Sequence, residues 1–296
     1  MIFRKALLSK ISFLSVSILL ILVSCEKFKG DQTIPAYLHI DSITLSTDDY
    51  AIQGSASHNI TDAWVYVDDD LVGAFELPAT LPVLKEGNHT VTIYAGIKKN
   101  GIATTRANYP FFEPIVQTLN LVPDSTLSMG LLTAIYEPET DFPWREDFDD
   151  DAISLDTTSR SMVNIEPTPV GSPLTFEGQH SGEVNLDSAN DFFECATHLK
   201  YSIPFAPVYL EMNFRTTNRL TIGVYVYSGF YVYEVPIMTL FSSDDVWKKI
   251  YIDLSTTLNS YYGATFFRVY FGTFKEEGNE PTRILLDNFK LVTRES

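Results

Sequence analysis

Cysteine is nearly missing: the 296 residues include two, Cys25 and Cys195. That excludes a scaffold stapled by several disulfides and a cysteine-rich zinc site. Basic residues are also scarce, 21 against 38 acidic ones, for a formal net charge of −17. Nucleic-acid phosphates would be repelled, so nucleic acid is excluded as a partner. The five histidines, His39, His58, His89, His180 and His198, are dispersed without metal-ligand spacing. HExxH, GxSxG, CxxC, Walker and GxGxxG patterns are absent, which leaves the common hydrolytic, redox and nucleotide chemistries without a carrier. Beyond the first two dozen residues no apolar run is long enough to cross a bilayer as a helix.

What the chain does have begins at its start. Arg4 and Lys5 precede an apolar run over residues 11–23, which closes in Leu22-Val23-Ser24-Cys25. A basic head, a short apolar centre and a small residue before a cleavage point form the layout of an export signal. Leu22-Val23-Ser24-Cys25 resembles the lipobox of bacterial lipoproteins. The resemblance implies cleavage before Cys25, acylation of Cys25, and anchoring in the outer membrane through the acyl chains, on its periplasmic face or at the cell surface. Residues 1–24 would then be the signal peptide and the polar residues 25–32 a tether. Cys195, left without a partner, reads as a small buried hydrophobe. A catalytic thiol assisted by His198 is the alternative, although residues three apart on a strand face opposite ways.

Between residues 33 and 137, short runs of β-branched and aromatic residues alternate with turn signals. They lie at residues 37–45, 63–67, 71–75, 90–95, 102–110 and 118–122. Trp64-Val65-Tyr66-Val67, then Asp68-Asp69-Asp70, then Leu71-Val72-Gly73-Ala74-Phe75 reads as a hairpin. The aspartates read as a solvated turn rather than a metal loop. The pattern resembles the immunoglobulin-like modules at the base of bacterial surface proteins, which implies spacing or docking.

From residue 140 to 296 the strands lengthen. Tyr209-Leu210-Glu211-Met212-Asn213-Phe214-Arg215 alternates, with Leu210, Met212 and Phe214 assigned inward and Tyr209, Glu211, Asn213 and Arg215 outward. Residues 222–227 and 230–235 read as a hairpin around Ser228-Gly229, with Tyr225, Tyr227 and Phe230 outward. Phe267, Val269 and Phe271 point in; Phe266, Arg268 and Tyr270 point out. Trp247-Lys248-Lys249-Ile250-Tyr251-Ile252-Asp253-Leu254-Ser255 and Arg283-Ile284-Leu285-Leu286-Asp287-Asn288-Phe289-Lys290-Leu291 resemble late strands of β-jelly-roll carbohydrate-binding and galactose-binding-like modules. The whole chain also resembles two-domain outer-membrane lipoproteins of unassigned function from Bacteroidetes-type bacteria. The expected fold class is therefore all-β: an immunoglobulin-like β-sandwich over residues 33–137, then a β-jelly-roll sandwich over residues 140–296.

The jelly-roll resemblance implies a structural Ca²⁺ held between the first and last strands, here by Glu146, Asp147, Asp149 and Asp287. Tyr225, Tyr227, Phe230, Arg268, Tyr270, Tyr209 and Arg215 are the expected ligand-binding set. Aromatic rings stack on the apolar faces of sugars, while arginine hydrogen-bonds hydroxyls. The functional expectation is a non-enzymatic envelope lipoprotein that binds a glycan or other surface ligand. An accessory subunit docked on an outer-membrane protein is the alternative. A hydrolase comes last, since no Glu-x-Asp-x-x-Glu strand of the jelly-roll hydrolases is present.

Overall fold

A computed structural model describes residues 34–150, 152–278 and 280–294. The signal segment, Cys25 and the tether lie outside the described residues. Among the described residues, no helix is long and apolar enough to cross a membrane.

The first body carries β1 (Ala36–Ile40), β2 (Ser42–Leu45), a one-turn α1 (Tyr50–Gln53), β3 (Asp62–Val67), β4 (Asp70–Glu76), β5 (Ala79–Val83), β6 (Gly87–Lys98), β7 (Arg106–Asn108), β8 (Ile115–Leu121), β9 (Thr126–Ser128) and β10 (Leu131–Ala134). The order β4-β3-β6-β7, with β8 also on β6, forms one sheet; β5-β1-β9 and β10-β2 form the opposing strands. Period-two alternation sets the core: Leu38, Ile40, Val65, Val67, Val91 and Ile93 are buried while their neighbours are not. Asp68 and Asp69 have φ values of 50° and 69° and join β3 to β4 as a two-residue hairpin loop. The Asp68 carboxylate accepts from Lys85 and His89 at 2.9 and 2.6 Å and from the Thr90 N–H at 3.1 Å. It is a turn, as expected. The strand expected over residues 102–110 is only Arg106–Asn108, because residues 100–102 turn toward the second body instead.

The second body comprises β11 (Thr140–Glu146), β12 (Leu155–Thr157), β13 (Glu166–Pro167), β14 (Gly182–Leu186), β15 (Phe192–Thr197), β16 (Tyr201–Ser202), β17 (Tyr209–Thr216), β18 (Leu220–Ser228), β19 (Tyr231–Leu240), β20 (Lys248–Asp253), α2 (Ser255–Asn259), β21 (Phe266–Phe274) and β22 (Thr282–Arg294). It is a β-jelly-roll sandwich of two antiparallel sheets. One sheet runs β13-β14-β22-β17-β20 with β11 on β22; the other runs β12-β15-β21-β18-β19 with β16 on β21. Their facing side chains, among them Trp144, Leu210, Met212, Val224, Phe267, Phe271, Leu286 and Phe289, make one core. The long β22 keeps its apolar side inward only because Asn288, at φ 49°, adds a residue opposite β17. That bulge puts Ile284 and Leu286 on the same side as Phe289 and Leu291.

The bodies share a buried junction. The outward side of β17, β20 and β22 is covered by the first body, so Tyr209, Tyr251 and Val292 belong to the first body's core. Tyr109 packs its ring on Tyr209 and Tyr251 at 5.3 and 4.9 Å. The expectation that Tyr209, Glu211 and Asn213 face solvent is thereby corrected: they are 6%, 0% and 2% exposed. Period two located the face correctly, but a second layer covers it.

Candidate functional site

The outer side of the other sheet stays open, and strand register assembles it. Tyr270 on β21 lies opposite Gly223 on β18, and Arg268 opposite Tyr225. Glu194 on β15 lies opposite Gly272, and Glu234 on β19 opposite Tyr225. Gly223 has no side chain, so the Tyr270 ring occupies the space its Cβ would fill. The Tyr225 ring packs against it at a tilt, with ring centroids 4.9 Å apart at 35°.

Charge is fixed beside these rings. Arg160, on the loop after β12, donates from Nε to Glu194 Oε1 at 3.1 Å and from Nη2 to Glu194 Oε2. The same Nη2 reaches Glu234 Oε2 at 2.9 Å and the Tyr225 hydroxyl oxygen at 3.2 Å. Glu194, 2% exposed, also accepts from Thr158 at 2.8 Å and from Tyr225 at 2.9 Å. Burial, with Glu234 and Glu194 nearby, pushes the Tyr270 phenol up to about 12, so it stays protonated. A cleft of about 480 Å³ opens over this group, walled by Met162, Phe192 and Phe274. Phe192 and Phe274 are 4.3 Å apart, and Phe274 is 66% exposed. The arrangement offers the exposed Phe274 ring beside immobilised donors and acceptors.

The expected ligand set is divided by the structure. Tyr270 lines the cleft but, contrary to the expected outward face, is only 3% exposed, and Tyr225 packs against it from outside the lining. Arg268 lies alongside, but its guanidinium turns to Asp156 at 2.8 Å and to the carbonyls of Thr197 and Ala196. Tyr227 is capped by the Lys200 ammonium, 3.9 Å from its ring centre. Phe230 is a correction: Ser228 pairs with Tyr231, so the loop is Gly229-Phe230 and Phe230 projects from the tip. The slip moved one residue on each strand, so the assigned faces survived. Tyr209 and Arg215 belong to the opposite sheet; Arg215 grips Asp245 at 2.7 and 2.8 Å. Arg160, Glu194 and Glu234 were missed. Glu194 was legible as the polar alternate between Phe193 and Cys195, whereas a loop arginine carries no periodic signal.

The expected calcium ligands do not share a centre. Glu146 accepts from the Phe148 N–H at 2.8 Å and from the Ser154 N–H and hydroxyl at 2.5 and 2.6 Å. Asp147 accepts from Tyr50 at 3.0 Å, Asp149 from the N–H groups of Gln179 and His180 at 2.8 Å each, and Asp287 from Ser181 at 2.5 Å and the Asn288 N–H at 2.7 Å. Burial pushes the Asp287 acid up to about 8. Among the described residues no three His, Cys, Asp or Glu side chains converge on one ion, so this donor set does not fit the expected Ca²⁺. Cys195 is fully buried and its thiol is pushed up by burial, while His198 pairs with Asp156 at 2.8 Å. That leaves no activated nucleophile at Cys195.

No protein-family model matches the chain, and no curated protein matches it. Carbohydrate-binding modules are among its structural neighbours. A mutant family 29 module complexed with cellulohexaose is 12% identical, covering 53% of this chain and 93% of that one at a TM-score of 0.35. A structure from a study of promiscuous specificity in β-sandwich carbohydrate-binding modules is 11% identical over 78% of this chain and 85% of its own, with a TM-score of 0.34. A family 61 module in complex with β-1,4-galactotriose is 13% identical over 48% and 87%, with a TM-score of 0.30.

Proposed function

We propose that this chain is a non-enzymatic cell-envelope lipoprotein, tethered in the outer membrane through acylated Cys25, whose jelly-roll body binds a glycan along the open face of its second sheet. The observation that carries the reading is one cleft in which the Phe192 and Phe274 rings stand beside the Arg160–Glu194–Glu234 network, with Tyr270, backed by Tyr225, in its floor. Sugar C–H faces pack on such rings, and fixed charged groups hydrogen-bond hydroxyls without having to be ordered on binding. Affinity electrophoresis against a panel of polysaccharides tests it. At least one polysaccharide should retard the protein, and Tyr270→Ala should abolish the retardation with the fold intact. A panel that retards nothing defeats the glycan reading. Membrane fractionation of the full-length chain and of Cys25→Ala tests the tether, since only the former should sediment with outer membrane.

A second reading, an accessory subunit of an outer-membrane complex, is favoured by the exposed aromatics at the β18–β19 hairpin. Phe230 and Tyr231 are 105% and 70% exposed, and Tyr262, beside the Tyr261 that packs on Tyr233, is 103% exposed. A stoichiometric protein recovered in a gentle detergent pull-down, and lost with Phe230→Ser, would favour it.

A further inference from the structure

A larger opening lies on the other sheet, at the free edge of β20. Its volume is about 820 Å³, and it is bounded by β20, by residues 237–242 and by first-body residues 57–59 and 100–102. It shares no lining residue with the cleft described above.

Three buried polar atoms on this opening have no hydrogen-bond partner: Asn213 Oδ1, Lys249 Nζ and Trp247 Nε1. Asn213 and Lys249 are directly opposed on β17 and β20. Trp247 immediately precedes β20 and lines the same opening. Asn213 is 2% exposed and Lys249 7%. The Lys249 ammonium makes an ion contact with Glu211 Oε2 at 3.2 Å but is not aligned for a hydrogen bond there. Buried polar groups are normally satisfied, so the Asn213 acceptor and the Trp247 donor left open around one cavity ask for a polar occupant.

The walls say what kind. Phe176 and Trp247 pack at 5.2 Å, and Phe241 stands beside them, 69% exposed. Among the described residues lining the opening there are two lysines, Lys248 and Lys249, and no aspartate or glutamate. In a chain with 38 acidic residues that selection is informative. Lys249 is matched by Glu211 behind it, so the uncompensated charge on the lining is Lys248, and a carboxylate finds that ammonium and an indole N–H.

We propose that this interdomain cleft is a second ligand site, independent of the open-face cleft, that takes a sugar unit bearing a carboxylate, of the uronic acid type. The apolar face of the ring packs on Trp247 and Phe176. A ring hydroxyl donates to Asn213 Oδ1, and the carboxylate accepts from Trp247 Nε1–H and Lys248.

The test is calorimetric titration of the full chain with free D-galacturonic acid, with an oligogalacturonide, and with D-galactose as the uncharged control. Saturable binding of either acid, at least tenfold tighter than galactose, is the expected result; binding of the oligomer alone identifies a polymer as the source. Trp247→Phe keeps the ring but removes the donor, and Lys248→Gln removes one charge at an exposed rim position. Each should weaken binding at least fivefold without shifting the melting transition. Tyr270→Ala, in the other cleft, should leave it unchanged. No saturable binding of either acid, equal binding of galactose, or indifference to both cleft substitutions overturns the proposal. Because Tyr270→Ala and the polysaccharide panel report only on the open face, the two sites can fail separately.

Discussion

The Tyr109 hydroxyl donates a 2.8 Å hydrogen bond to Glu211 Oε1, crossing from the first body to the second. Tyr136 donates to the same oxygen at 2.9 Å, and Lys249 stands 3.2 Å from the other. On the third strand Lys290 donates to the Ser55 carbonyl at 2.5 Å and to the Tyr136 hydroxyl oxygen at 3.3 Å. A carboxylate and two ammoniums are thus enclosed at the junction, with Glu211 held below the usual carboxylate range by Lys249 and Lys290 against the opposing effect of burial. The backbone joins the bodies too, as Asn100 N–H donates to the Tyr251 carbonyl at 2.8 Å.

Unfolding should therefore be a single transition across both bodies. Tyr109→Phe removes one of two neutral donors and should cost about 1 kcal/mol. Glu211→Ala leaves two buried ammoniums without their carboxylate and should cost about 3–5 kcal/mol. Urea unfolding followed by tryptophan fluorescence and by far-UV circular dichroism should give coincident curves for the native chain. Separate midpoints for the two probes would contradict the rigid junction.

Stability should depend on pH through Lys290. Burial pushes its ammonium down to about 7, with Lys249 and Arg145 acting in the same direction and Glu211 and Glu177 opposing. The unfolded chain keeps that proton up to about 10.4. Between those limits the unfolded state binds more protons than the folded one, so stability rises with pH; below 7 the burial cost is present in full. Melts of the native chain and Lys290→Met at pH 7, 8 and 9 should diverge steadily, with the native chain gaining at most about 1.4 kcal/mol per unit relative to the variant.

Strand alternation made much of this architecture legible. The inward residues of β17, β18 and β21 follow from period two alone, since Leu210, Val224 and Phe267 are all buried. Alternation cannot say what lies beyond an outward face. Glu211, Asn213 and Arg215 read alike in sequence, yet the first is sealed under Tyr109 and the last grips Asp245 near solvent. Nor did it register the bulge at Asn288, because one inserted residue shifts the phase without changing composition. At the open face, tyrosines stood out by type, whereas Arg160 arrives from a loop and depends on tertiary contacts.

Arg160 separates recognition from stability. Its side chain is 51% exposed, so solvent screens its ion pairs and Arg160→Lys should cost no more than about 1 kcal/mol of stability. A lysine cannot bridge Glu194 and Glu234 with a planar fork, so the network loses its geometry. Retardation on a bound polysaccharide should fall about tenfold, roughly 1.4 kcal/mol, while the melting temperature moves little. A large fall in melting temperature with binding preserved would make Arg160 a structural residue instead.

Gly223 is the sharpest probe of the open face. It sits mid-strand, where glycine weakens a sheet, and its φ is not in the left-handed region, so backbone freedom does not explain it. Space does: an added Cβ would run into the Tyr270 ring on one side and the Val235 carbonyl on the other. In Gly223→Ala the ring, the softer neighbour, must lift and carry Tyr225 with it. Overpacking of this kind costs about 1–3 kcal/mol, and the platform is lost at the same time. The expected outcome is a folded protein with a lowered melting temperature that no longer binds its polysaccharide. Pairing the change with Tyr270→Ala removes the ring contact but not the one with the Val235 carbonyl, so the melting temperature should recover only in part and the binding not at all. Binding restored in that double variant would show that the tyrosine platform is not what the glycan touches.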